Sequence, residues 1–324
     1  IVLGFLLVIL AGALLLWLSN KYLYDMPIAV EDALFMSTSA VCVTGLATID
    51  LYTGLGMVSQ IIILILIQIG GLGFMTAVMM LGVAVGRRMG IKSRLFFLVG
   101  FGLNGISGAI RLLKILAKYT FVAESIGAAL LYWGFIRHGL TVEKSIYYAV
   151  FHSVSAFCNA GFSPLPNGLN GFSLSIIVPA AVMMLIVLGG IGFPVFANCW
   201  EAFWKKGRIS HYSKLVLYLT FWLITAGTVM LLVSDWNGGL AVLPDWARIW
   251  NALFTSVTTR TAGFDTVQPA SFSELGKILM IVLMVIGASP ASTGGGIKTT
   301  TLGVLAIAAW NEMLGRDENI FWYR

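Results

Sequence analysis

"ALFTSVTTRTAGFDT", residues 252–266, opens like a helix and ends in a hydroxyl-rich turn that closes on Gly263. It lies in a chain of 324 residues that is 59% hydrophobic and 10% charged. Soluble domains carry about 25% charged residues. A cluster of Thr258, Thr259, Arg260, Thr261 and Gly263 therefore needs a specific reason in this setting.

Two further copies of the stretch supply that reason. "ALFMSTSAVCVTGLATID" (33–50) and "AVFHSVSAFCNAGFSPLP" (149–166) align with "ALFTSVTTRTAGFDTVQP" (252–269). Each starts with Ala, an aliphatic residue and Phe, and each places Ser two positions later, at Ser37, Ser153 and Ser256. Each closes on Gly followed by Leu or Phe: Gly45-Leu46, Gly161-Phe162 and Gly263-Phe264. The third copy is one residue shorter between Phe and Gly. A glycine-rich apolar segment follows each closing glycine at a helix-scale distance of about 25 residues. These segments are "QIGGLGFMT" (68–76), "VLGGIGFPVF" (187–196) and "VIGASPASTGGGIKTT" (285–300). An apolar run precedes each copy, at 1–20, 119–136 and 215–234. The chain thus reads three times as span, short half-helix, polar turn and span. The repeats are expected over 1–86, 87–204 and 205–324.

Composition fixes the surroundings. Residues 1–20, 51–86, 215–234 and 278–297 contain no Asp, Glu, Lys or Arg. A transmembrane helix needs roughly 20 apolar residues. The mean hydropathy of +0.93 also points to an integral membrane protein. The runs are continuous rather than alternating, so the expected fold is all-α and not a β-barrel. The net charge is +6, but its basic residues cluster between spans, which speaks for topology rather than nucleic acid. Arg87, Arg88, Lys92, Arg94, Arg111, Lys114 and Lys118 form one group, and Lys205, Lys206, Arg208 and Lys214 another. Positive loops stay in the cytoplasm, which sets Asp25, Glu31, Asp32, Asp235 and Asp245 outside. Cys42, Cys158 and Cys199 lack metal-ligand spacing and read as structural. The first residue already lies in an apolar run, expected to be a span that has lost its beginning.

A half-helix that enters and turns back leaves non-helical backbone at membrane depth, tolerated only where protein or water covers it. Glycine permits positive φ and close approach in such a turn. Freed carbonyls can replace the water shell of a cation, and a descending half-helix brings its negative end towards them. Small residues in spans also mark close helix packing, and one copy alone would mean no more than a turn. Three copies in register favour a cation path.

These motifs resemble the Ktr/Trk/HKT superfamily of potassium transporters, most closely the Ktr-type membrane subunit. Val43-Thr44-Gly45-Leu46 is similar to the family's first filter sequence, Asn159-Ala160-Gly161-Phe162 to its "NAGF", and Arg260 to Phe264 to its "RTAGF". The resemblance implies units arranged around one central pore, each giving one filter strand. The filter would comprise Val43, Thr44, Gly45, Asn159, Ala160, Gly161, Thr261, Ala262 and Gly263, with potassium as the transported ion. It also implies a gate in the third inner helix, matched by Gly287 to Thr301 and including Gly287, Ser289, Pro290, Ser292, Thr293, Gly294, Gly295, Gly296 and Lys298. Members of this family have four units. Three are read here, so the expectation is a fragment truncated at both ends. The family further implies a homodimer in the bacterial plasma membrane, a filter facing outwards, an RCK-type cytosolic nucleotide-binding partner and sodium as an activator. No organic cofactor and no metal beyond potassium are expected.

Other chemistry is weaker. "STGGGIKTTT" (292–301) resembles a phosphate-binding loop, but Ile297 separates Gly296 from Lys298 and breaks the required spacing. Pro290 and the glycines there mark a helix break instead. Arg260 is costly at membrane depth. It either braces the filter, through carbonyls or Asp265, or reaches the outer water. Glu124 is either solvated near a helix end or paired in the bundle. His152 reads as a packed hydrogen-bonding residue. The alternatives to transport are a non-transporting scaffold or receptor and an intramembrane enzyme, and the latter lacks facing ionisable residues. Single-glycine strands offer few carbonyl rings, so weaker potassium selectivity than in a dedicated channel is expected.

Overall fold

A computed structural model describes residues 2–73, 109–205 and 207–314. The expected repeat boundary at 86/87 and the basic residues Arg87, Arg88, Lys92, Arg94 and Lys206 lie outside the described residues. All regular structure among those described is helical, apart from one β-bridge between Ile286 and Ile297.

The chain order is repetitive. Helix α1 (Val2–Leu23) is followed by the short α2 (Val30–Val41) and then α3 (Met57–Gly71). The next set is α4 (Ala109–Arg137), α5 (Val142–Phe157) and α6 (Ile177–Ile191), with α7 (Phe193–Lys205) after it. The last is α8 (His211–Asp235), α9 (Asp245–Thr258) and α10 (Glu274–Val285), with α11 (Thr299–Met313) after it. Val2–Leu23, Leu113–Arg137 and His211–Asp235 are long and apolar enough to cross a membrane. The half-helices α2, α5 and α9 have 12, 16 and 14 residues. At 1.5 Å per residue they reach about 18–24 Å, short of the roughly 30 Å hydrocarbon core.

The aligned serines join each half-helix to the span before it. Ser37 Oγ donates to the Ile9 carbonyl, Ser153 Oγ to Glu124 and Ser256 Oγ to Ile224. Each serine thus supplies a buried polar contact to its own outer helix, where lipid offers no driving force for association. Glycines allow the close approach. A Cβ on Gly12 would lie 2.5 Å from Ser37 Oγ, and one on Gly227 would strike Ser256 Oγ.

One core gathers Leu16, Met36, Ile63, Phe135, Phe151 and Phe254, and a smaller one lies around Leu231, Met280 and Leu283. Leu7, Leu14, Phe121 and Val229 remain exposed, as expected of a surface whose solvent is lipid.

The inner helices do not run straight through. Helix α6 stops at Gly192 (φ 95°, ψ 138°) and α7 leaves at 97° to it. That break was not expected from the sequence. Its signal was Gly192-Phe193-Pro194, a glycine-only conformation followed by proline in a helix's first turn. The third inner helix ends at Val285, and 286–298 are non-helical. The expected break is there, but Thr299–Thr301 belong to the first turn of α11 rather than to the loop. No proline or glycine follows Lys298 until Gly303, so the threonines can resume helix.

Candidate functional site

The three half-helices end in one backbone shape. Positive φ occurs at Val43 (54°) and Gly45 (82°), at Asn159 (57°) and Gly161 (71°), and at Thr261 (75°) and Gly263 (80°). Val43 and Thr261 are β-branched, for which this region is a genuine outlier costing about 1–3 kcal/mol. Such strain persists where the surroundings enforce it, which happens at functional sites.

The enforcement comes from each half-helix itself. Thr44 N donates to Ser39 O, Ala160 N to Ser155 O and Ala262 N to Thr258 O. The third bond spans one residue fewer, which absorbs the shorter spacing of that copy. Ser155 Oγ donates to Phe162 O and Thr258 Oγ1 to Phe264 O, closing turns two and three. The first turn lacks this tie: Ser39 Oγ is buried with no partner among the described residues, and Leu46 is 61% exposed where Phe162 and Phe264 are 2% and 4%.

The turns converge. A Cβ on Gly45 would lie 2.5 Å from the Ala160 carbonyl oxygen, and one on Gly161 would lie 2.6 Å from the Ala262 oxygen. The first turn meets the second, and the second the third, through bare main chain, so only glycine fits at Gly45 and Gly161. One flank of this cluster opens into a cavity of about 770 Å³, lined by Val43, Thr44, Thr261, Gly263, Asp265 and Gly294 among others.

The loop 286–298 sits against the same cluster. Its neck is closed by Gly287 N donating to Ile297 O and Ala288 N to Gly295 O. A Cβ on Gly287 would strike the Gly295 carbonyl, so the two sides pinch together. Within the loop Ser292 Oγ donates to Ser289 O, Ser289 and Thr299 share a hydroxyl contact of 3.0 Å, and Lys298 Nζ donates to Gly294 O at 2.8 Å. Pro290 and Ala291 form its turn and Gly296 has φ 74°. The loop also binds the break in the second inner helix: Ser289 N donates to Gly190 O, Thr293 N to Gly189 O, and Phe193 N to Ala291 O. Backbone groups freed by one broken helix are thereby satisfied by the other.

Arg260 is 7% exposed, which excludes the reading that it reaches the outer water. It forms no ion pair with Asp265, whose carboxylate accepts from Asn170 Nδ2 at 3.3 Å. Burial pushes the Asp265 carboxyl up, and the Asn170 bond opposes that shift. The Arg260 Nε has no hydrogen-bond partner among the described residues. Glu124 lies in the bundle with the Gln68 side chain as a polar neighbour, and its Oε1 has no hydrogen-bond partner among the described residues. His152 is buried, with Nδ1 at Tyr148 O and Nε2 at Ser163 Oγ, a packed residue as expected. The cysteines are free, and no metal-binding cluster of His, Cys, Asp or Glu occurs among the described residues.

Spans alternating with half-helices that end in converging glycine turns define an all-α membrane protein with re-entrant half-helices. Comparison with known proteins makes this particular. The chain belongs to the TrkH family of cation transport proteins, whose model matches residues 5–320. It is 36% identical over 305 residues to the potassium/sodium uptake protein NtpJ of Enterococcus hirae, covering 94% of this chain and 67% of that protein. It is 34% identical to the Ktr system potassium uptake protein B of Vibrio alginolyticus, covering 100% of this chain and 71% of the relative. The corresponding Bacillus subtilis protein is 35% identical, over 99% and 72%. The fold matches the crystal structure of the potassium transporter TrkH from Vibrio parahaemolyticus with a TM-score of 0.71 at 21% identity. That match covers all of this chain and 63% of the other. The family is one of ion transporters and not of enzymes.

Proposed function

We propose that this chain forms a potassium pathway through a membrane, with the main-chain carbonyls of Val43–Gly45, Asn159–Gly161 and Thr261–Gly263 as the filter. The observation that carries it is the convergence of three strained turns of one shape, the first against a carbonyl of the second and the second against a carbonyl of the third. Carbonyls gathered in this way substitute for an ion's hydration shell. The relatives' names supply potassium, and that of NtpJ adds sodium. Sodium as an activator belongs to the same reading.

Residues 286–298 are the gate, with Gly287 and Gly296 at its neck and Lys298 holding Gly294. Arg260 supports the third turn from behind. The chain comprises three units over 1–86, 87–204 and 205–324. Its filter side faces outwards in the plasma membrane. The protein works as a homodimer, and the cytosolic side around 205–214 takes an RCK-type nucleotide-binding ring. A scaffold without transport would have no use for strained β-branched residues at converging turns.

The test is cation flux. The protein in its native assembly, reconstituted in liposomes, is expected to pass potassium. Deletion of residues 289–296 should raise the flux about tenfold or more, by removing a barrier of roughly 1.4 kcal/mol or above. Absence of potassium flux rejects the pathway. Flux unchanged by the deletion rejects the gate alone.

A further inference from the structure

The apex of loop 286–298 is fastened to a filter turn by a side chain. Asn159 Nδ2 donates to Thr293 Oγ1 at 3.0 Å, and Thr293 Oγ1 donates to the Phe157 carbonyl at 2.9 Å. Asn159 is 2% exposed and Thr293 is 8% exposed. The direction of the bond is fixed by its neighbours. The threonine hydroxyl proton is spent on Phe157, so the amide must be the donor. Asn159 Oδ1 has no partner among the described residues. The amide therefore has this one side-chain anchor.

The surroundings leave little slack. A Cβ on Gly294 would lie 2.7 Å from Thr261 Oγ1 and 3.3 Å from Asn159 Nδ2. The loop apex is thus wedged between the second and third turns. Asn159 itself has φ 57°, so its side-chain direction is tied to the shape of the turn it helps to build. A change in that turn moves the donor away from Thr293.

We propose that Asn159 and Thr293 form a latch that couples the second filter turn to the gate loop. The inference rests on the transport reading above and adds a coupling to it. The loop leaves the path only when this bond opens, and an ion seated in the turn biases the bond through the backbone of Asn159. Linkage makes the effect reciprocal: whatever ion binding does to the loop, freeing the loop does to ion binding by the same factor.

Flux and its half-saturating potassium concentration, measured in liposomes for the protein in its native assembly, test the latch. T293V removes both hydrogen bonds at nearly constant volume. It should raise flux about fivefold or more, the range that loss of two net hydrogen bonds gives, and shift half-saturation in step. T293S keeps the hydroxyl and should behave as wild type. N159G keeps the positive φ and removes the amide. Combined with T293V it should add nothing to the T293V effect on gating. T293V indistinguishable from T293S, lower flux in T293V, or additive effects of N159G and T293V overturn the latch. A wild-type protein without flux instead sinks the transport reading, and the latch with it.

Discussion

The three glycine turns and the loop 286–298, proposed above as filter and gate, are both irregular backbone among apolar helices, yet they are held in opposite ways. The turns are fixed from within their own unit. Ala160 N reaches back to Ser155 O, and Ser155 Oγ reaches forward to Phe162 O. The loop closes its own neck, but its seat is in trans, on Gly189, Gly190, Phe157 and Asn159 of the second unit. Local bonds close with the half-helix and hold strain permanently. Borrowed bonds can be returned, which is the property a movable constriction needs. On the proposed reading, the same glycine-rich chemistry serves rigidity in one place and release in another.

The largest effect should fall on the rigid part. In G161A the new Cβ would sit 2.6 Å from the Ala262 oxygen at φ 71°, between two main chains that cannot yield. Conduction should drop about 100-fold or more, as roughly 3 kcal/mol of strain and displaced carbonyls would give. G263A has the same backbone strain at φ 80°, but its Cβ would meet only Gly161 Cα, at 3.5 Å. Its loss should be about tenfold or less, the strain alone. Flux measured on protein that remains monodisperse separates the two, and equal losses would show that the close contact at Gly161 adds nothing to the backbone strain.

What the sequence made legible follows this division. The turns are local objects, so the repeat of Ser, turn and glycine revealed their position, and the converging glycines are the ones the alignment picked. The serines were visible as a pattern, but their use was not: Ser37, Ser153 and Ser256 reach Ile9, Glu124 and Ile224, at distances no spacing encodes. The loop was legible as a helix break from Pro290 and its glycines, while its docking on Gly189 and Gly190 depends on tertiary approach. The bend at Gly192 was missed because glycines in an apolar run, here Gly189, Gly190 and Gly192, read equally as packing. Arg260 shows a further limit. Its nearest carboxylate in sequence, Asp265, accepts from Asn170 instead, a partner 95 residues away that no spacing encodes.

G192A tests the borrowed side. Gly192 has φ 95° and ψ 138°, and a Cβ there would lie 2.6 Å from the Pro290 carbonyl. The substitution strains the bend and pushes the loop off its seat at once. The cost should be about 1–3 kcal/mol. A lower thermal midpoint in detergent, together with raised rather than abolished flux, is the expected pair of results. A collapse of conduction to the level of G161A would show that the bend belongs to the rigid machinery.

The smallest effects lie in the ties that differ between turns. S155A removes the bond to Phe162 O and leaves that buried carbonyl unpaired, at a cost of about 1–3 kcal/mol. S39A removes a hydroxyl that has no partner among the described residues, so it should cost less than about 0.5 kcal/mol. The ordering follows from the turn exits: Phe162 is buried under its tie, and Leu46 stands 61% exposed without one. Thermal midpoints of the two variants, taken side by side, decide it. An S39A loss as large as that of S155A would mean that the first turn is held by its serine after all, and that all three turns are equally rigid.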